Sequence, residues 1–291
     1  SLLRTPLNQL FIFFIFIVFI PLCNSLFAKF LKGDFHCYEC RDNKNCKENS
    51  KLAFDGRVLS TVLYKEILEI AKENNFSIEL NIDLLEKCWI DRPNLPKEPI
   101  FIHETIFSGK SSKEKIEEVR QNMEKKEAKS TIISSLDDIA WLLNIRGNDV
   151  KFNPVTLSYF LVTMDYTNLY IDKNKVSKET EDILENDGIN IYPYEDIYKD
   201  VKELDGKVII DENKLNAKVY NDINKNAKII NELNYTTKLK AIKNEVEIAN
   251  IYKSQIRDGV AMVKFMKWLK ENVGKVKITE ISASDKLRSF R

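Results

Sequence analysis

Apolar positions three and four apart alternate along this chain with short runs of β-branched and aromatic residues, so helices and strands are expected in turn. Residues 135–165, SLDDIAWLLNIRGNDVKFNPVTLSYFLVTMD, set the pattern. Asp137 and Asp138 sit where negative charge suits a helix N-terminus. Ile139, Ala140, Leu142 and Leu143 then form an apolar face with Trp141 beside it, and 144–147 close the turn. After the break at Asn153 and Pro154, residues 155–163 read as a buried strand.

On the N-terminal side, Asp55-Gly56-Arg57 is a turn signal, and Ser60 can cap a helix with apolar positions Val62, Leu63, Ile67, Leu68 and Ala71. Residues 76–80 alternate like a strand, 84–89 form a short apolar segment, Asp91-Arg92-Pro93 closes the unit, and Pro96 and Pro99 stiffen a linker. The run 101–107 is strand-like, and Ser111 or Ser112 opens a charged helix through Glu127 with a narrow stripe of Ile116, Val119, Met123 and Ala128. Strands are expected at 131–133, 157–163, 168–172, 189–192, 208–211 and 227–230, and helices at 176–184, 194–204 and 217–224. That alternation argues a mixed α/β sandwich. From Lys238 to Val273 apolar residues recur at helical spacing, describing one long amphipathic helix with Gly259 as a weak point and Gly274 as its C-cap; Thr279 begins another.

Composition narrows the classes. A length of 291 residues allows two domains, and 44% hydrophobic with 31% charged residues is ordinary for a globular chain. The net charge of +1 argues against a nucleic-acid partner. Arg4, an apolar run over 10–22 and small residues to Ser25 form a signal-peptide pattern, with an uncleaved membrane anchor as the alternative. His36, Cys37, Cys40 and Cys46 invite a zinc reading, but their spacing suits no zinc module, and lumenal disulfides or a linker fit better. No Gly-x-Ser-x-Gly, Walker or Rossmann pattern occurs. Trp141 reads as core, and Arg146 near Asp149 as a structural ion pair or turn support rather than catalysis. Asp137 and Asp138 are adjacent on a helix and do not share a face, so helix-start charge is preferred to a pair of catalytic acids.

The stretch Asp137-Asp138-Ile139-Ala140-Trp141-Leu142-Leu143-Asn144-Ile145-Arg146-Gly147-Asn148-Asp149, with Asn153-Pro154-Val155 and Ser158-Tyr159, resembles the second N-terminal domain of Xaa-Pro aminopeptidases (aminopeptidase P). Leu84 to Pro93 resembles the end of the same family's first N-terminal domain. Ala241 to Ile248, followed by Thr279 to Ala283, resembles the opening of its catalytic pita-bread domain. The resemblance implies a creatinase N-terminal-type mixed sheet flanked by helices, then the first helices of an incomplete catalytic domain. It divides the chain into a signal or anchor with a Cys-containing linker (1–50), a remnant of the first domain (51–95), the second domain (96–235) and the catalytic start (236–291).

The implied activity is release of the first residue from short peptides with proline second, by a homodimer using two divalent ions, usually manganese. The family's ligands, two Asp, one His and two Glu, lie beyond the matched part, so no catalytic, substrate-binding or metal residue is assigned in this chain, which is expected to be inactive alone. Arg57 lies at a different place from the family's substrate-side Asp-Gly-Arg, and neither His36 nor His103 matches a family histidine. A non-catalytic binding module of the same fold is the alternative. The leader points to the secretory route or a lumenal or vacuolar compartment, with the cytoplasm as the other choice and a membrane only if the leader stays uncleaved.

Overall fold

The structure is a computed structural model and describes residues 51–83, 85, 86 and 89–291. The leader, its cysteines and His36, and part of the 84–89 segment, lie outside the described residues. Two units divide between Ile90 and Asp91.

In the first unit, β1 (Lys51–Ala53) pairs in parallel with β2 (Ser77–Glu79), joined by α1 (Thr61–Glu73). Ser60 caps α1 by accepting from the Leu63 N–H. Ile67 and Ala71 are buried as the spacing predicts, and Tyr64 joins them. Asp55-Gly56-Arg57 is a turn, and the Arg57 guanidinium folds back onto Asp55 at 2.7 Å.

The second unit is built on a six-stranded mixed sheet of order β10-β9-β4-β6-β7-β8. These strands are β4 (Ser130–Ile133), β6 (Ser158–Thr163), β7 (Thr167–Ile171), β8 (Ile189–Tyr192), β9 (Lys207–Ile210) and β10 (Lys228–Asn231). β6 runs antiparallel to both neighbours, whereas the outer pairs β7–β8, β4–β9 and β9–β10 are parallel. Successive side chains of a strand face opposite ways, so β6 sends Phe160 and Val162 into one apolar layer and Tyr159 and Leu161 into the other. The first layer is closed by α3 (Ser112–Lys125), α4 (Leu136–Leu142) and α5 (Lys178–Asn186), through Ile116, Val119, Met123, Ile139, Leu142 and Leu184. The second is closed by α6 (Ile197–Asp200) with its flanking 3-10 turns and by α7 (Ala217–Asp222), through Ile197, Val201 and Val219. The mixed sheet flanked by helices that the resemblance implies is present.

Several expectations change in detail. Of 101–107, only β3 (Phe101–Ile102) is strand, pairing with β5 (Ile145–Arg146); α2 (Thr105–Ser108) is a single turn ended by Gly109 in the left-handed region, φ 71°. Residues 194–204 form short helical pieces rather than one helix. The long helix predicted over 238–273 is two, α8 (Tyr235–Ala241) and α9 (Glu245–Asn272). Asn244 breaks it, because its side chain accepts the Glu247 N–H while Glu247 accepts the Asn244 N–H, a reciprocal cap that starts a new helix. α10 (Glu280–Phe290) packs along α9 and ends with Arg291 on Asp258 at 2.7 Å.

The apolar stripe of α9 is largely uncovered: Tyr252, Ile256 and Val263 are 67–69% exposed, and of its residues only Ala261 is buried. Among the described residues no helix is long and apolar enough to cross a membrane.

Candidate functional site

The stretch that carries the resemblance does its work on the segment leading into α9. Asp138, on α4, is 2% exposed, and its carboxylate accepts from Thr237 Oγ1 at 2.9 Å and pairs with Lys240 Nζ at 2.9 Å. Lys240 also reaches Asp137, so one ammonium serves both aspartates. Burial lowers the Lys240 pKa, but the two carboxylates outweigh it and raise the group above its ordinary value. The same ion pair holds Asp137 below the usual carboxylate range, against burial. Asn234 donates to Ser135 Oγ at 3.1 Å. The acids at the start of α4 therefore have the helix-start placement expected of them, and they also hold α8.

Beside them is a buried polar cluster. Lys115, in the first turn of α3, is 1% exposed and donates to the Trp141 carbonyl at 2.7 Å and to Asn144 Oδ1 at 2.6 Å. Its ammonium lies 4.4 Å from the Trp141 ring centroid, a cation–π distance. Burial lowers the Lys115 pKa to about 8; Glu247 opposes the shift, and Arg146 and Lys110 add to it. Asn144 sits at φ 51° and gives its Nδ2 to the Lys110 carbonyl at 2.8 Å, while its own carbonyl accepts from the His103 N–H at 2.7 Å. The Trp141 indole donates to Glu247 Oε1 at 3.1 Å, and Glu247 Oε2 accepts from the Asn244 N–H at 2.9 Å. Asn244 Nδ2 in turn donates to the Ser108 carbonyl at 2.8 Å, and one helical turn beyond Glu247, Asn250 donates to the Ile106 carbonyl at 3.2 Å. Gly109 permits this approach: a Cβ there would lie 2.4 Å from Asn244 Oδ1.

Arg146 supports the turn as expected, donating to the Ala140 carbonyl at 2.7 Å and the Ile145 carbonyl at 2.9 Å. Asp149 takes a different ionic partner. Its Oδ2 is 2.5 Å from Lys175 Nζ and accepts from the Leu157 N–H at 2.6 Å, all within the interior. Trp141 is half-buried against the apolar layer and bridges to α9. His103 stacks on Phe107 at 5.5 Å, and burial with nearby Arg146 and Lys115 lowers its pKa, which Glu247 opposes. His103, Phe107, Trp141, Glu247, Asn250 and Arg257 line an open groove of about 890 Å³. Among the described residues no three of His, Cys, Asp or Glu converge as a metal group. The described side chains do not fit the two-ion centre implied by the resemblance: carboxylates such as Asp138 and Asp149 are committed to lysines. Lys115 and Lys175 carry no motif, and Asn244 stands in the Ala241–Ile248 stretch without a sign of its capping role. A lysine at a position that the α3 spacing buries was the one available sign.

The comparisons agree on one family. The family model "Creatinase/Prolidase N-terminal domain" matches residues 91–247, ending on the Glu247 that bonds Trp141. "Xaa-Pro aminopeptidase 1" of Dictyostelium discoideum is 34% identical over 262 residues, covering 85% of this chain and 42% of its own length. "Probable Xaa-Pro aminopeptidase P" of Neurospora crassa is 35% identical over 233 residues, covering 73% of this chain and 33% of its own length. The X-prolyl aminopeptidase of Caenorhabditis elegans, described as a cytosolic enzyme with a di-nuclear active site, superposes at a TM-score of 0.77 with 25% identity, over 84% of this chain and 42% of that one. The chain thus spans less than half the length of the relatives it matches. With its sheet, its α4 stretch and these relatives in agreement, the chain belongs to the Xaa-Pro aminopeptidase family and carries that family's creatinase/prolidase N-terminal domain.

Proposed function

We propose that this chain is the N-terminal portion of a metal-dependent Xaa-Pro aminopeptidase, and that its sheet domain carries and orients the catalytic domain that α9 begins. The observation that carries the reading is the match of 85% of this chain to a Xaa-Pro aminopeptidase more than twice its length, together with the exposed apolar stripe on α9. Such a stripe is normally covered in a folded protein. The reaction is hydrolysis of the bond before a proline in the second position of short peptides. Two divalent ions, manganese in our reading, would serve as the Lewis acids of that reaction in the catalytic domain. The part of the sheet domain is to place the catalytic domain. The product works as a homodimer, and the leader sends it along the secretory route, with cytosolic residence like that of the C. elegans neighbour as the other outcome.

The test is to express the complete reading frame that contains this sequence and assay it on a Xaa-Pro peptide with manganese, beside the 291-residue chain. The expected result is chelator-sensitive release of the first residue by the longer product and none by the chain. A complete product that is no longer than this chain, or one that leaves Xaa-Pro peptides intact with metal present, refutes the proposal and leaves the non-catalytic binding module.

A further inference from the structure

We propose that Trp141 and Glu247 form a latch that fixes the angle at which α9 leaves the sheet domain, with Lys115 as its footing. An indole has one N–H, so its bond to Glu247 Oε1 is directional. The carboxylate cannot swing to stay on the indole if the helix shifts, because its other oxygen is tied to the Asn244 N–H of α9's own cap. The indole is held as firmly from its own side. Lys115 Nζ lies beneath the ring at 4.4 Å and binds the carbonyl of the same residue, and the ammonium has donors for both this carbonyl and Asn144 Oδ1.

Two further bonds prevent rotation about the latch. Asn244 Nδ2 reaches the Ser108 carbonyl, and Asn250 reaches the Ile106 carbonyl one turn along α9. Attachment at residues 244, 247 and 250 constrains both the tilt and the roll of the helix. The groove between α2 and α9 follows from this angle, since Phe107 and Arg257 face it from opposite sides. Trp141 and Glu247 are thus positioning residues. They act on whatever α9 carries, and the inference holds whether or not the complete product cleaves peptides.

The test uses the full 291-residue chain with nitroxides on keto amino acids at the exposed positions Glu185 and Lys264, which avoids the native cysteines. Pulsed dipolar spectroscopy then reads the distance between the sheet domain and α9. A single narrow distribution is expected in the parent chain. Trp141→Phe, which keeps the ring over Lys115 but loses the N–H, is expected to broaden it at least twofold. Glu247→Leu should do the same, and Glu247→Gln, which keeps an accepting oxygen for the indole, should restore part of the narrowing. Glu245→Gln, in the same helical turn but outside the latch, should leave the distribution unchanged. Circular dichroism melts report whether each variant remains folded, and Glu247→Leu reads the same contact from the helix side if Trp141→Phe does not fold. Unchanged distributions in folded Glu247→Leu overturn the proposal, as does equal broadening by Glu245→Gln.

Discussion

Gly109→Ala should loosen α9 through a contact that no sequence pattern announces. At φ 71° an added Cβ meets backbone strain of roughly 1 kcal/mol. The same Cβ would sit 2.4 Å from Asn244 Oδ1 and 2.8 Å from Asn244 Cγ, so the amide must leave. Its departure removes the N-cap of α9, worth about 1 kcal/mol, and the bond to the Ser108 carbonyl. The expected loss is about 2–3 kcal/mol in urea unfolding followed by circular dichroism. Asn244→Ala alone removes the same cap and the same bond and should cost about 1–2 kcal/mol. Because the cap and the Ser108 bond can be lost only once, the double variant should cost less than the sum of the singles, by about 1–2 kcal/mol. Additivity to within about 0.5 kcal/mol would refute the argument, since it would mean that the two side chains do not meet.

Lys115 makes stability depend on alkaline pH. Its pKa is lowered to about 8 in the folded chain from an ordinary 10.5, so between these values the unfolded chain binds more protons and stability rises with pH. The full rise is on the order of 3 kcal/mol, and Lys115→Met should abolish it, as a series of urea titrations from pH 7.5 to pH 10.5 would show. The neutral amine still has two N–H groups for Trp141 and Asn144, so the cluster itself should persist at high pH. The pair Lys175–Asp149, with side chains 2% and 1% exposed, makes Lys175→Met cost about 3–5 kcal/mol by stranding a buried carboxylate. Adding Asp149→Asn should recover part of that loss in the same unfolding measurement; no recovery would mean that the charge was not the cost.

The sheet was legible wherever periodicity was strong. β6 and β7 announce themselves by buried β-branched and aromatic runs, and the stripe Ile116, Val119 and Met123 marks the inner face of α3. The break at Asn244 was hidden because apolar spacing continues across it; a capping box interrupts a helix without interrupting its stripe. The Asp149 partner was hidden for a different reason. Arg146 is closer in sequence, yet it turns to the end of α4, and Lys175 arrives from after β7. The family could be read from residues 137–149, but their role could not. Asp138 and Trp141 act on Lys240 and Glu247 roughly a hundred positions later, and a linear reading sees those partners only as a charged helix face.

Residues 135–147 build a socket that holds α8 and the start of α9. Native-state hydrogen exchange tests it most directly, because segments that open together share one protection free energy. The amides of 236–250 are expected to exchange with the same protection as those of α4, and Asp138→Ala to lower both together. If α4 stays protected while 236–250 exchange at the rate of an unanchored helix, the socket does not hold them.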